Sequence, residues 1–152
     1  MRISKNHSFV FVSTPKSCTH TIYHILKEHY SEGLIEKGVH VNAVPNPYKN
    51  FCKWSVVRLP FTRAVSLWWS ACRLCPEDQY GCRAGCRCHD DFTKFVLWLS
   101  GYKAQPNQPL LMNQATWLAP ANLDCVVHQE EMVDELKKLP FWKPGIKIPV
   151  LN

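Results

Sequence analysis

The sequence predicts an α/β layered fold whose central sheet is largely parallel. Three short runs rich in β-branched and aromatic residues have the composition of buried strands. They lie at Ser8–Ser13, Trp54–Val57 and Leu123–Val127. Each is followed by apolar residues at helical spacing, and strands alternating with helices are typical of α/β folds. A chain of 152 residues suits one domain, so we expect a single domain over residues 1–152.

The strand–helix units can be justified in order along the chain. After the first strand, apolar residues keep a helical spacing from Thr19 to Tyr30. The alternation of Val39, Val41 and Ala43 predicts a further strand. After the Trp54–Val57 strand, a proline stands where the first turn of a helix tolerates its missing N–H. The residues that this helix is expected to bury are Phe61, Val65, Trp68, Trp69 and Cys72.

The second half of the chain predicts three more helices. Asp90 or Asp91 is expected to cap the first of them. The second spans Asn113–Leu118, and the third follows the last strand. The apolar faces of the first and third helices consist of Phe92, Phe95, Val96 and Leu99, and of Met132, Val133, Leu136 and Leu139.

Composition narrows the class of protein without choosing a ligand. An apolar fraction of 46% and a charged fraction of 20% exclude a disordered chain. The formal net charge of +6 favours an anionic partner such as a nucleotide, a nucleic acid, an acidic sugar or a membrane surface. The apolar run Phe9–Val12 is too short for a signal peptide, which needs roughly 7–15 residues, or for a membrane span of about 20. We therefore expect a cytoplasmic protein.

The segment Thr14–Thr21 is a candidate anion site because it joins a strand to a helix. Ligands of open α/β sheets bind outside the carboxyl ends of the strands, and a helix N-terminus presents N–H groups and a positive dipole end. Lys16 adds a full charge, and the neighbouring Ser and Thr hydroxyls add donors. The alternative is an ordinary strand-to-helix turn whose hydroxyls only cap the helix. A Gly-rich triphosphate-binding loop is absent from the sequence.

A second strand end repeats this pattern. Arg58 ends the Trp54–Val57 strand, and Ser66 lies one or two turns into the following helix. Both side chains are suited to a second phosphate, although each alone is usually an ordinary surface residue.

Together the two motifs resemble the sulfotransferase family, and most closely its carbohydrate branch. Thr14-Pro-Lys-Ser-Cys-Thr-His20 is similar to the family's 5′-phosphosulfate loop, T-P-K-[ST]-G-[TG]-T. Val56-Val-Arg-Leu-Pro-Phe-Thr-Arg-Ala-Val-Ser-Leu67 is similar to its 3′-phosphate motif, V-R-x-P-x-x-R-x-x-S. Weaker likenesses are Phe92–Trp98, the Q-x-x-x-L step from Gln114, and Val126–Glu130. The resemblance implies a P-loop-like three-layer fold.

The resemblance also implies an activity, namely transfer of a sulfuryl group from 3′-phosphoadenosine 5′-phosphosulfate to a hydroxyl of a carbohydrate or small metabolite. Lys16 would neutralise charge on the leaving phosphate. His40 would accept the proton of the acceptor, unless it is a strand-face histidine without chemistry. The residues expected to hold the nucleotide are Pro15, Lys16, Ser17, Cys18, Thr19, His20, Thr21, Arg58 and Ser66.

Three departures from the family pattern leave a second function open. Cys18 replaces a glycine, which the family uses where backbone approaches phosphate or takes a positive φ. His20 occupies a place where the family has a small or hydroxyl residue, and family members continue beyond Asn152. The alternative is a catalytically degenerate domain that binds the nucleotide without turnover.

The segment 72–89 is a Cys-rich insertion relative to the family. A tetrahedral Zn²⁺ site needs four ligands, often including a C-x-x-C pair. Candidate ligands for one Zn²⁺ are four of Cys72, Cys75, Cys82, Cys86 and Cys88. Disulfides or free thiols are the alternatives, depending on the compartment. A zinc-stabilised nucleic-acid binder is a third function, but no finger spacing supports it and no nucleic-acid partner is expected.

Overall fold

The computed structural model describes residues 1–38, 41–70, 91–101 and 110–149. Its strands are β1 (Arg2–Ser4), β2 (Phe9–Phe11), β3 (Leu34–Glu36), β4 (Cys52–Val57) and β5 (Cys125–His128). Its α-helices are α1 (Thr19–His29), α2 (Pro60–Trp68), α3 (Phe92–Gly101), α4 (Gln114–Leu118) and α5 (Met132–Leu136). The chain divides into two compact units, Met1–Arg58 with Asn113–Asn152, and Leu59–Met112.

The first unit is a mixed α/β structure built on a sheet of order β3-β1-β2-β4-β5. The central pairings β2–β4 and β4–β5 are parallel, as predicted. The pairings of β1 with β2 and with β3 are antiparallel, so the expectation of a largely parallel sheet is wrong. Unlike β2, which is entirely apolar, β1 and β3 each include a charged residue, so no apolar run marks them in the sequence.

The strand predicted from Val39 to Ala43 is also misplaced. β3 lies earlier, at Leu34–Glu36, and pairs with β1. Val41 and Ala43 lie outside any strand, and Val39 lies outside the described residues. Gly33, at a φ of 70°, makes the turn that brings the chain back beside β1. Apolar alternation therefore predicted the strand in the wrong segment of the chain.

The core of the first unit is aromatic and fixes the sheet against α1. Phe9 and Trp54, on neighbouring parallel strands, are both fully buried. Phe141 stacks on Phe9 with 4.2 Å between ring centroids, and Tyr30 meets Phe9 edge-on at 5.4 Å. Burying aromatic side chains of this size contributes strongly to the stability of the core. The rigid central strands β2 and β4 then hold the loops that follow them.

The second unit contains α2 and α3. Leu67 and Phe95 are its buried centre, and Asp91 caps α3 by accepting a hydrogen bond from the Lys94 N–H at 3.1 Å. The prediction that α2 buries Phe61 and Trp69 is wrong. The fractional exposures of these side chains are 70% and 49%. Val65 is exposed as well, Trp68 is partly buried, and Cys72 lies outside the described residues. Apolar residues surround α2 on several sides, so periodicity alone did not identify the face that carries Leu67.

Candidate anion-binding site

The candidate site lies at one edge of the first unit's sheet. β2, β4 and β5 run in the same direction, so their carboxyl ends meet at a common edge, where open α/β sheets bind ligands. The loop 12–18 follows β2 there, Arg58 follows β4, and a 3₁₀ turn at Gln129–Glu131 follows β5. Sequence reasoning correctly predicted the loop and Arg58 at strand ends.

The loop after β2 has an unusual backbone. Lys16 has a φ of 64° and Cys18 a φ of 53°, both in the left-handed region. This region costs an L-residue roughly 1–2 kcal/mol. Cys18 is also the N-cap of α1, and its carbonyl accepts the first helical hydrogen bond from Ile22 at 3.0 Å. Left-handed residues in such turns form concavities lined by backbone N–H groups, which are suited to anions. Cys18 thus adopts a conformation that favours glycine.

Side chains within the first unit hold this loop in place. The Thr19 hydroxyl donates to the Thr14 carbonyl at 3.1 Å, which closes the loop on itself. The Thr14 hydroxyl is hydrogen-bonded to the buried Ser55 hydroxyl of β4 at 2.8 Å. The Trp117 indole N–H donates to the Ser13 carbonyl at 3.0 Å. Left-handed residues persist where the surroundings over-determine them, and these three bonds provide that restraint.

Gln114, the first residue of α4, links the loop to the end of β4. Its Oε1 accepts hydrogen bonds from the Ser17 hydroxyl at 3.0 Å and from the Arg58 N–H at 2.9 Å. Its Nε2 donates to the Arg58 carbonyl at 2.7 Å. One side chain therefore fixes both backbone groups of Arg58 and one hydroxyl of the loop. In this way Gln114 couples the positions of the two sequence motifs.

The electrostatics of the site centre on Lys16, Arg58 and Cys18, which are all half-buried. Burial raises the pKa of the Cys18 thiol. The Arg58 guanidinium opposes that shift, and the Glu130 carboxylate adds to it. The thiol is therefore protonated at neutral pH. Both charged side chains are therefore close enough to Cys18 to influence its thiol.

The other predicted nucleotide-binding residues differ in accessibility. Pro15, Ser17 and Thr21 are buried, while His20 is exposed on the first turn of α1. Ser66 is half-buried on α2, in the second unit. The proposed base and the proposed zinc ligands lie outside the described residues: His40, Cys72, Cys75, Cys82, Cys86 and Cys88.

Sequence reasoning missed three residues that shape the site. Gln114 was noted only as part of a weak motif, and no role in the site was predicted for Ser55 or Trp117. A signal for Ser55 does exist, since it is the one hydroxyl residue in the otherwise apolar run Trp54–Val57. No sequence pattern indicates that the Trp117 indole reaches Ser13, because 104 residues separate them.

No known protein family, curated protein or solved structure matches this chain. Its site is therefore interpreted from its own residues and motifs. Within the described ranges, no helix has both the length and the apolar character needed to cross a membrane. Among the side chains described, no group of three or more His, Cys, Asp or Glu residues could hold a metal ion.

Proposed function

We propose that this chain binds 3′-phosphoadenosine 5′-phosphosulfate and transfers its sulfuryl group to a hydroxyl of a carbohydrate or small metabolite. The observation that carries the proposal is the coupling of the left-handed loop at Lys16 and Cys18 to Arg58 through Gln114. A strand-to-helix loop alone suits one phosphate. An arginine whose backbone is held in fixed register with that loop suits a ligand that carries two anionic groups.

The residue assignments follow the two sequence motifs. The loop N–H groups and Lys16 would hold the 5′-phosphosulfate, and Arg58 would hold the 3′-phosphate, for which a guanidinium offers bidentate donors. The sequence motif assigns Ser66 to the same 3′-phosphate. The proposal also implies the P-loop-like three-layer arrangement of the family, of which the parallel strands β2, β4 and β5 are one part.

The chemistry assigned to the chain's own residues is charge stabilisation and proton transfer. As the acceptor oxygen attacks sulfur, the bond from sulfur to the bridging phosphate oxygen breaks. The Lys16 ammonium would stabilise the charge that develops on that leaving oxygen. The hydroxyl proton of the acceptor would pass to His40, a residue type whose ordinary pKa lies near neutrality.

The test is calorimetric titration with adenosine 3′,5′-bisphosphate, the nucleotide left after transfer. Lys16→Ala and Arg58→Ala should each weaken binding by roughly 10- to 150-fold, since one charge-assisted contact is worth about 1.5–3 kcal/mol. Lys27→Ala is the matched control, because Lys27 is exposed on the last turn of α1 and carries the same charge. Absence of bisphosphate binding by the intact chain would overturn the proposal.

One observation favours a second function, binding without turnover. Cys18 places a Cβ and a half-buried thiol where the family pattern has only a hydrogen atom. That side chain takes up room beside the backbone that would contact the sulfuryl group. Bisphosphate binding combined with no sulfate transfer to a panel of sugars and alcohols would support this degenerate binding domain.

A further inference from the structure

Two cysteines lie together at the amino-terminal ends of β4 and β5, away from the candidate anion-binding site. Cys52 is the first residue of β4, and Cys125 is the first residue of β5. In the parallel register Trp54 pairs with Cys125. Residues two apart on a strand share a face, so Cys52 lies on the same side of the sheet as Trp54 and Cys125. The two cysteines are therefore diagonal neighbours on one face.

Their surroundings leave both thiols reduced and partly accessible. Neither forms a disulfide, and both are half-buried at the margin of the aromatic core. The Cys125 thiol lies close enough to Cys52 to influence its titration. Burial first, and then the neighbouring Cys125, raise the pKa of Cys52 to about 11. Cys52 thus stays protonated at neutral pH and can donate its S–H to the sulfur of Cys125.

We infer that Cys52 and Cys125 form a reversible dithiol–disulfide pair whose oxidant is a low-molecular-weight disulfide such as glutathione disulfide. The sulfur of Cys125, as thiolate, attacks one sulfur of the oxidant and releases one thiol. The sulfur of Cys52 then displaces the second thiol from the mixed disulfide and loses its own proton. One S–S bond forms in the protein as the S–S bond of the oxidant is reduced, so two electrons and two protons are transferred.

The geometry favours a bond that is easily reversed over a permanent one. Diagonal neighbours on adjacent strands have Cα atoms about 7–8 Å apart, whereas disulfides span roughly 4.4–6.8 Å. Closing the bond therefore requires backbone movement at Cys52, the first residue of its strand. Disulfides formed with strain are the readily reduced ones, and they suit transient redox chemistry in a reducing compartment. The closed loop would contain the whole second unit, Leu59–Met112.

Peptide mapping of the wild-type chain tests this inference. The protein is incubated with glutathione disulfide, unreacted thiols are alkylated, and trypsin is added. Trypsin places Cys52 in peptide 50–53, Cys125 in peptide 104–137 and Cys18 in peptide 17–27, each the only cysteine of its peptide. We expect peptides 50–53 and 104–137 to be linked, and the link to disappear with dithiothreitol.

Cys18 is the internal control, since it is also half-buried but lies at the opposite ends of the strands. It should carry alkyl or glutathione label and should link to neither peptide. In Cys125→Ser, peptide 50–53 should remain alkylated. The inference is overturned if wild-type Cys52 and Cys125 stay alkylated, carry separate glutathione groups, or link to other cysteines instead of to each other.

Discussion

The two ends of the parallel strands in the first unit use their polar residues in opposite ways. At the amino-terminal ends, the buried Lys53 ammonium is 2.7 Å from the Asp124 carboxylate. It also donates to the carbonyls of Lys49 and Phe51 at 3.1 and 3.2 Å. At the carboxyl ends, the uncharged Gln114 side chain instead bonds both backbone groups of Arg58. One end neutralises its own charge, and the other uses hydrogen bonds to fix a loop shape.

This difference separates a structural lysine from a candidate ligand-binding lysine. Lys53 is only 8% exposed, and its ammonium finds its partners within the fold. Lys16 is half-buried in a loop whose left-handed residues cost energy. Strained backbone that is restrained from several sides is typical of functional sites. The comparison teaches that the conformation around a lysine, more than its charge, indicates a site.

The largest expected effect comes from replacing Lys53 or Lys16 by methionine, which removes the charge and keeps an unbranched side chain. Lys53→Met should lower the free energy of unfolding by about 1.5–3 kcal/mol, because charged hydrogen bonds are lost at a buried position. Its bisphosphate affinity should stay within a factor of about two of wild type. Lys16→Met should do the reverse, with affinity reduced roughly 10- to 150-fold and a smaller loss of stability.

Urea unfolding and calorimetric titration of the same two variants measure both quantities. Equal losses of stability and of affinity in both variants would remove the distinction between the two ends. Loss of affinity in Lys53→Met alone would contradict the assignment of the site.

The next effect concerns Gln114 as a positioning residue. Gln114→Ala removes the hydrogen bonds to Ser17 and Arg58 and should reduce bisphosphate affinity about 5- to 30-fold, corresponding to about 1–2 kcal/mol. Asn113→Ala is the matched control, since Asn113 caps the same helix by accepting from the Thr116 N–H at 2.7 Å. Losing that cap should cost about 1 kcal/mol of stability and leave affinity unchanged.

A double-mutant cycle distinguishes positioning from general destabilisation. If Gln114 acts through Arg58, then Gln114→Ala should weaken binding less in the Arg58→Ala background than in wild type. Additive losses in affinity would instead show that Gln114 supports only the fold of α4.

The sequence was informative wherever the signal was local. It predicted the strand, loop and helix around Lys16, the strand ending before Arg58, and the helices α2 to α5, because composition and spacing determine these elements. It missed β1 and β3, because each of these short strands includes a charged residue and forms no apolar run. It also missed the hydrogen bond that brings Gln114 to Ser17, 97 residues away. Such contacts depend on tertiary packing and cannot be predicted from the sequence of one segment.

A smaller effect on stability is expected from substituting Cys18, whose backbone is strained in the loop at the carboxyl ends of the parallel strands. Cys18→Gly should raise the free energy of unfolding by about 0.5–1 kcal/mol. Relief of a left-handed L-residue, worth roughly 1–2 kcal/mol, exceeds the added entropy of the unfolded glycine. Cys18→Ala is the control, because it removes the thiol but keeps the Cβ. A glycine variant less stable than the alanine variant in urea would show that Cys18 is not strained.

The smallest effect lies at the amino-terminal ends and depends on pH. Hydrogen bonds from the Lys53 side chain and backbone N–H hold the pKa of Asp124 below its ordinary value. A lowered carboxyl pKa adds stability that is fully present above the unfolded value of about 3.9 and is lost as pH falls through the folded value. Because the Asp124 side chain is 48% exposed, Asp124→Asn should cost about 1 kcal/mol or less at pH 7.

The difference between Asp124→Asn and wild type should therefore be constant from pH 7 to pH 5 and should shrink below about pH 4, as thermal unfolding across that range would measure. Asp134→Asn is the control, since its ion pair with Lys137 joins side chains that are 80% and 61% exposed. It should change stability less than Asp124→Asn at every pH, because exposed ion pairs on one helix contribute little. A stability difference between wild type and Asp124→Asn that grows toward acid pH would contradict this prediction. It would mean that the Asp124 carboxylate does not stabilise the fold through Lys53.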